Sequence, residues 1–211
     1  MSATPHAEDR VVIGGPAGKI EAVASAAQGG ASAYAVVCHP HPRFGGTMHN
    51  KVVTTLAGAL RQCGMATVRF NFRGVGASEG LFDDGIGEMA DASAVADWGA
   101  KRWAGRPLVI AGFSFGAYVA LCLAQRREPQ RVILIAPPVD RFEFAALTAP
   151  RCPWMIVQGD ADTVVDPTAV SSWANATAPA PRLLMLPGVG HFFHGRLPEL
   201  RDAVVDEIRS A

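Results

Sequence analysis

Leu108-Val109-Ile110-Ala111-Gly112-Phe113-Ser114-Phe115-Gly116-Ala117-Tyr118-Val119-Ala120-Leu121 is the stretch on which the fold turns. It opens with a short apolar run of strand type and closes on a helical pattern, with a serine between two glycines at the junction. A strand that feeds a helix through so tight a turn brings the positions two before and two after the serine close together. Only glycine or a similarly small residue fits there. The serine hydroxyl is therefore expected above the carboxyl edge of a sheet, with the helix amino terminus aimed at whatever approaches it. The uncharged run from Pro107 to Ala124 is almost long enough to cross a bilayer, but Gly112, Ser114 and Gly116 break it into strand, turn and helix.

Outward from this unit, continuous apolar runs recur at Tyr34 to Cys38, Ala66 to Phe70, Val132 to Ile135, Trp154 to Val157 and Leu183 to Leu186. They are too short for helices and do not alternate, as expected of parallel strands buried on both faces. Helical stretches lie between and after them, at Asn50 to Gln62, Gly85 to Trp103, Phe115 to Arg127, Pro167 to Ala176 and Leu197 to Arg209. The apolar residues of the last suit core or dimer contact alike. Upstream, Val11 to Ile13 and Lys19 to Ala24 flank a Gly-Pro-rich turn and predict an opening antiparallel hairpin. The expectation is an α/β fold of about eight strands, the first two antiparallel, with helices on both faces of the sheet. Ala136 to Pro153 is the one irregular insertion, too short for a lid domain.

The length of 211 residues fits one domain spanning residues 1–211. Lys plus Arg and Asp plus Glu both number 19, so no net field draws nucleic acid or an anionic membrane from a distance. Met1 to Asp9 lacks the pattern of a signal or transit peptide, and a cytoplasmic address is the default expectation. Cys38, Cys63, Cys122 and Cys152 are widely spaced, form no C-x-x-C pair, and read as reduced small hydrophobes.

Gly112-x-Ser114-x-Gly116 in strand-turn-helix context is a nucleophile motif. A serine hydroxyl needs a base to take its proton as it attacks. His191 follows the last strand through the flexible Pro187-Gly188-Val189-Gly190 and is the preferred candidate. His194 is its rival, because Phe192-Phe193 could pack either way round. A carboxylate must fix the tautomer of that histidine. In Gln158-Gly159-Asp160-Ala161-Asp162, Asp162 is preferred because a loop must clear the strand end before a side chain can turn inward. Asp160 would instead tie the turn through backbone bonds, and Asp140 is a fallback acid. Oxyanion donors are expected at the backbone N–H of Phe115 and in His39-Pro40-His41-Pro42, where the prolines cannot donate and His41 can. His39 and His41 read as loop-holding imidazoles in preference to metal ligands. Asn71-Phe72-Arg73-Gly74-Val75-Gly76 lacks the spacing of a dinucleotide or phosphate loop, and Arg73 is expected in a salt bridge within the scaffold.

These blocks, His39-Pro40-His41-Pro42, Asn71 to Ser78, Gly112 to Gly116, and Gly159 to Asp162 with Gly190-His191-Phe192-Phe193, resemble the α/β-hydrolase superfamily over nearly the whole chain. More narrowly the chain looks like the small lidless bacterial serine hydrolases related to dienelactone hydrolases and serine aminopeptidase-like proteins. The order Ser114, Asp162, His191 matches that superfamily, whose acid sits three residues after the glycine. Where it commonly has His-Gly, this chain has His39-Pro40. The resemblance implies hydrolysis of carboxylic esters of short acyl chains through an acyl-enzyme, with a small-molecule substrate and no cofactor. A thioesterase or small exopeptidase would use the same residues, the latter needing an anion among Glu79, Asp83 and Asp84 to grip a free amine. A non-catalytic binding protein of the same fold is the remaining alternative. Serine at the nucleophile position disfavours epoxide hydrolase, dehalogenase and dienelactone hydrolase mechanisms.

Overall fold

The structure, a computed structural model, describes residues 8–27 and 29–210. Eight strands form one sheet: β1 (Glu8–Gly15), β2 (Gly18–Ser25), β3 (Tyr34–Cys38), β4 (Ala66–Phe70), β5 (Leu108–Phe113), β6 (Arg131–Ile135), β7 (Trp154–Gly159) and β8 (Arg182–Leu186). Their order is β1-β2-β4-β3-β5-β6-β7-β8. β1 and β2 are an antiparallel hairpin, β2 also pairs antiparallel with β4, and every pairing from β4 to β8 is parallel. The hairpin is longer than its apolar residues suggest, because β1 extends through Glu8, Asp9 and Arg10, where backbone pairing to β2 is joined by ion pairs from Glu8 to Arg69 and from Asp9 to Arg102.

Strand residues alternate between two cores. Val36, Cys38, Ile110, Val132, Leu134 and Ile156 face one layer; Val37, Val109, Ala111, Ile133 and Val157 face the other. Successive side chains of a strand point to opposite faces, so both must be apolar when helices cover both. Helices α2 (Ile86–Arg102), α3 (Phe115–Ala124) and α4 (Pro167–Ala176) cover the first, while α1 (Lys51–Gln62) and α5 (Leu197–Arg209) cover the second. Leu200, Val204 and Val205 of α5 are buried there, which assigns the apolar stripe of that helix to the core.

Helix starts follow local chemistry. Asn50 caps α1 by accepting from the Val52 N–H at 2.9 Å, and Asp166 caps α4 by accepting from Thr168 at 2.8 Å. The Glu88 carboxylate caps α2 from inside, accepting from the N–H groups of Gly85 and Asp83. α3 stops at Ala124, three residues before the pattern predicts, where the Gln125 amide turns to bond both the N–H and the carbonyl of Thr148. Among the described residues no helix is long and apolar enough to cross a membrane, and the segment from Ala136 to Pro153 carries only a single 3₁₀ turn at Phe144–Ala146. The fold has no lid domain among these residues.

Candidate active site

Parallel pairing puts the carboxyl ends of β3, β4, β5, β7 and β8 along one edge, and each functional candidate lies just beyond one of them. Ser114 ends β5 and starts α3 with φ 54° and ψ −122°, left-handed backbone that a side chain adopts only at a cost of about 1–3 kcal/mol. Its surroundings over-determine that conformation. The Ser114 N–H donates to the Ile135 carbonyl on β6 at 2.8 Å, and the Ser114 carbonyl accepts from Ala117 at 2.7 Å. A Cβ on Gly112 would lie 2.0 Å from the Gly116 carbonyl oxygen, and one on Gly116 would lie 2.4 Å from that of Cys38. Both glycines are required by backbone approaching backbone.

A row of hydrogen bonds links the three side chains. His191 Nε2 is 3.1 Å from Ser114 Oγ, and His191 Nδ1 is 2.8 Å from Asp162 Oδ2. Asp162 also accepts from Gln158 Nε2 on Oδ2 and from the N–H groups of Val164 and Val165 on Oδ1. Burial alone would push its carboxyl pKa up; the bond from His191 and those backbone N–H groups overcome this and hold it below the ordinary value. The carboxylate is thus ionised with every lone-pair direction that matters occupied. Nδ1–H then donates to Oδ2, leaving Nε2 free to accept a proton from the serine.

The acid and base loops meet because Gly159 lets them. A Cβ there would lie 2.1 Å from the Val189 carbonyl oxygen, which instead accepts from the Ala161 N–H at 3.1 Å. Asp160 points the other way and accepts from the Gly188 N–H at 2.6 Å, the turn-tying role that the sequence suggests. Asp140 is exposed and does not line the pocket. The two phenylalanines part the histidines: Phe193 is fully buried at φ 53°, Phe192 is half exposed, and His194 stacks on Phe192, while the imidazole bonded to Ser114 is that of His191.

His39 is buried, with Nδ1 2.6 Å from the Pro40 carbonyl and Nε2 accepting from the Phe72 N–H at 3.0 Å. Both nitrogens are thereby used in holding the loops after β3 and β4 together. Burial pushes its pKa down to about 4, against the bond to Pro40. The unfolded chain takes up this proton near 6.5 and the folded one near 4, so the stability from neutral His39 is complete above the first value. It is lost as pH falls between the two, in total about 3 kcal/mol. Asp162 contributes in a separate window below its ordinary 3.8. Urea unfolding midpoints measured from pH 7 to 4 are expected to fall less steeply in His39→Gln than in the unsubstituted protein; parallel curves would remove His39 as the cause.

His41 and Phe115 lie side by side, ring centroids 4.9 Å apart, and their backbone N–H groups have no protein acceptor among the described residues. Arg73 reaches Asp91 of α2 through two side-chain bonds, passing over Gly87, where a Cβ would meet the guanidinium at 2.0 Å. Before Ser114 lies a pocket of about 420 Å³ whose walls include Phe44, Phe142, Phe192 and Val165. A hollow of about 470 Å³ between Ala124–Pro129 and Thr148–Cys152 lies at the opposite, amino edge and contains no comparable array. Gln158 and Arg141, a further residue of the pocket wall, escape sequence reasoning. One signal for Gln158 is the lone polar residue closing the apolar run Trp154 to Val157.

Residues 31–147 match a family model described as serine aminopeptidase, S33. Over 207 residues the chain is 35% identical to an uncharacterized protein of Rickettsia prowazekii, covering 93% of this chain and 87% of that one. Among solved structures it is similar to an α/β serine hydrolase homologue from Coxiella burnetii, with a TM-score of 0.92 and 44% identity over 98% of this chain and 99% of that one. A lidless α/β serine hydrolase from Xanthomonas campestris gives 0.93 and 42%, covering 100% and 97%. The family match ends before Asp162 and His191, so it bears on the serine turn and the loops beside it.

Proposed function

The chain belongs to the serine aminopeptidase, S33, family of α/β serine hydrolases, and from that premise we propose that it hydrolyses carboxylic esters of short acyl chains through an acyl-enzyme. The observation that carries this reading is the Ser114–His191–Asp162 row opening into an apolar pocket. Ser114 Oγ attacks the ester carbonyl as His191 Nε2 takes its proton; the N–H groups of Phe115 and His41 receive the negative charge on the carbonyl oxygen. The same imidazole returns the proton to the departing alcohol. Water then repeats the sequence on the acyl-enzyme and releases the acid. No cofactor enters these steps. A neutral His41 side chain suits this arrangement, since burial and the nearby Arg43 hold its pKa below the ordinary value.

Aminopeptidase action needs an anion to bind the free amine of the substrate, and among the described residues no carboxylate lines the pocket. Glu79 accepts from the Lys19 N–H instead, Asp83 sits 3.8 Å from Arg73, and Asp84, whose charge acts on the His41 imidazole, is not among the lining residues. This favours an ester or thioester over a peptide. A pocket with no lid domain over it among the described residues favours small soluble acyl groups over long lipids.

The test is a matrix of acyl length against leaving group, in which alkyl esters, matched thioesters and aminoacyl anilides are compared by kcat/KM, alongside labelling by a fluorophosphonate. Turnover is expected to peak at short acyl chains, with the probe on Ser114. Preference for the anilides, or labelling at another residue, would overturn the assignment.

A further inference from the structure

Among the described residues, the pocket before Ser114 and the cleft that adjoins it at Gly45, Asn50 and Phe192 have no carboxylate in their lining, although the chain carries as many acids as bases. Among the described residues Arg141 is the one full cation lining the pocket itself, beside Pro138 and Phe142. Its guanidinium takes part in no ion pair among the described residues. One side-chain hydrogen bond holds it, from Nη2 to the Val164 carbonyl. A strap tying this segment to the acid loop needs no more than that donor. A guanidinium offers five, in a planar fork that matches a carboxylate.

The tether also fixes the fork in space. Val164 donates its own N–H to Asp162, so the exposed guanidinium is tied to the hydrogen-bonded row, and part of the rotamer freedom an anion would cost is already spent. Arg141 is itself exposed, so its pairing with an anion is of the screened, surface kind.

Resting on the ester-hydrolase reading, we propose that the preferred substrates carry a carboxylate away from the scissile bond and that Arg141 receives it. The class comprises half-esters of dicarboxylic acids and esters whose alcohol part bears an acid. Two matched pairs distinguish these sources: 4-nitrophenyl hydrogen glutarate against 4-nitrophenyl pentanoate, and 4-carboxyphenyl butyrate against phenyl butyrate. The readout is the charged-to-neutral ratio of kcat/KM within each pair. Arg141→Gln removes the charge and leaves a shorter, neutral amide; Arg141→Lys keeps the charge and removes the fork.

The unsubstituted protein is expected to favour the charged ester in one pair. Arg141→Gln should lower that ratio about ten- to hundredfold, chiefly through KM, with Arg141→Lys between the two. Added salt should erode the ratio in the unsubstituted protein, a measurement that needs no variant to fold. A ratio at or below one in both pairs overturns the proposal, as does a ratio that Arg141→Gln leaves unmoved while absolute rates fall. Turnover of the neutral esters, abolished by Ser114→Ala, tests the ester-hydrolase reading separately. If they are turned over and the ratio does not respond, only the role of Arg141 fails; if no ester is turned over, both readings fail.

Discussion

Replacing Ser114 with alanine is expected to lower kcat by about 10⁴- to 10⁶-fold while leaving the fold intact. The size of the loss follows from the proposed chemistry, in which the hydroxyl oxygen forms the bond to the acyl carbon and nothing else in the pocket can replace it. What survives should come from the two backbone N–H groups and from substrate binding alone. Stability should hardly change. The backbone bonds of residue 114 to Ile135 and Ala117 do not involve the side chain. Alanine meets the same left-handed strain as serine at φ 54°, and the hydroxyl's recorded partner is His191. Steady-state kinetics on a short-chain ester, with a thermal melt beside it, checks both halves. Residual turnover above a tenth would remove Ser114 from its role, and a melt lowered by many degrees would assign it to structure.

Asp162→Asn should cost about 10⁴-fold in kcat, the scale seen when a triad carboxylate becomes an amide. The surroundings dictate how the amide would sit. Val164 and Val165 both donate to the Oδ1 position, which must therefore be the amide oxygen. The amide nitrogen is left at the Oδ2 position, facing Gln158 Nε2 and His191 Nδ1. There it opposes one donor, and it can bond the imidazole only if Nδ1 is bare and Nε2 carries the proton. In that tautomer His191 cannot accept from the serine. The measured kcat should partly recover at high pH if hydroxide substitutes for the base, and fluorophosphonate labelling should slow in proportion. A loss under tenfold would show that the carboxylate is not what sets the tautomer. Gln158 acquires its meaning here, since its Nε2 shares Oδ2 with His191 and keeps that oxygen from rotating away.

The layout of the fold is legible because both of its signals are local. A buried parallel strand must be apolar on both faces, so Tyr34 to Cys38 and Ala66 to Phe70 coincide with the observed strands to the residue. A strand start held by backbone pairing and ion pairs gives no apolar signal, which is why β1 runs from Glu8 where the apolar pattern begins at Val11. Helix α3 likewise ends early through a side-chain bond to Thr148, a residue 23 positions away that no helical periodicity anticipates.

The same distinction divides the site. By itself the sequence determined that a serine stands at a tight turn between strand and helix, because two glycines flanking it answer to steric contacts within that one turn. It also determined that aspartates and histidines follow later strands, and that parallel pairing would gather them at one edge. The sequence preferred Asp162 to Asp160 and His191 to His194, and tertiary structure is what brings the preferred pair within hydrogen-bond distance of each other and of Ser114, because that depends on which side chain fits across a gap between segments far apart in the chain. It alone assembled Gln158 behind the acid and Arg141 in the pocket wall, since a hydrogen bond of about 3 Å is fixed by packing that no spacing along a chain encodes.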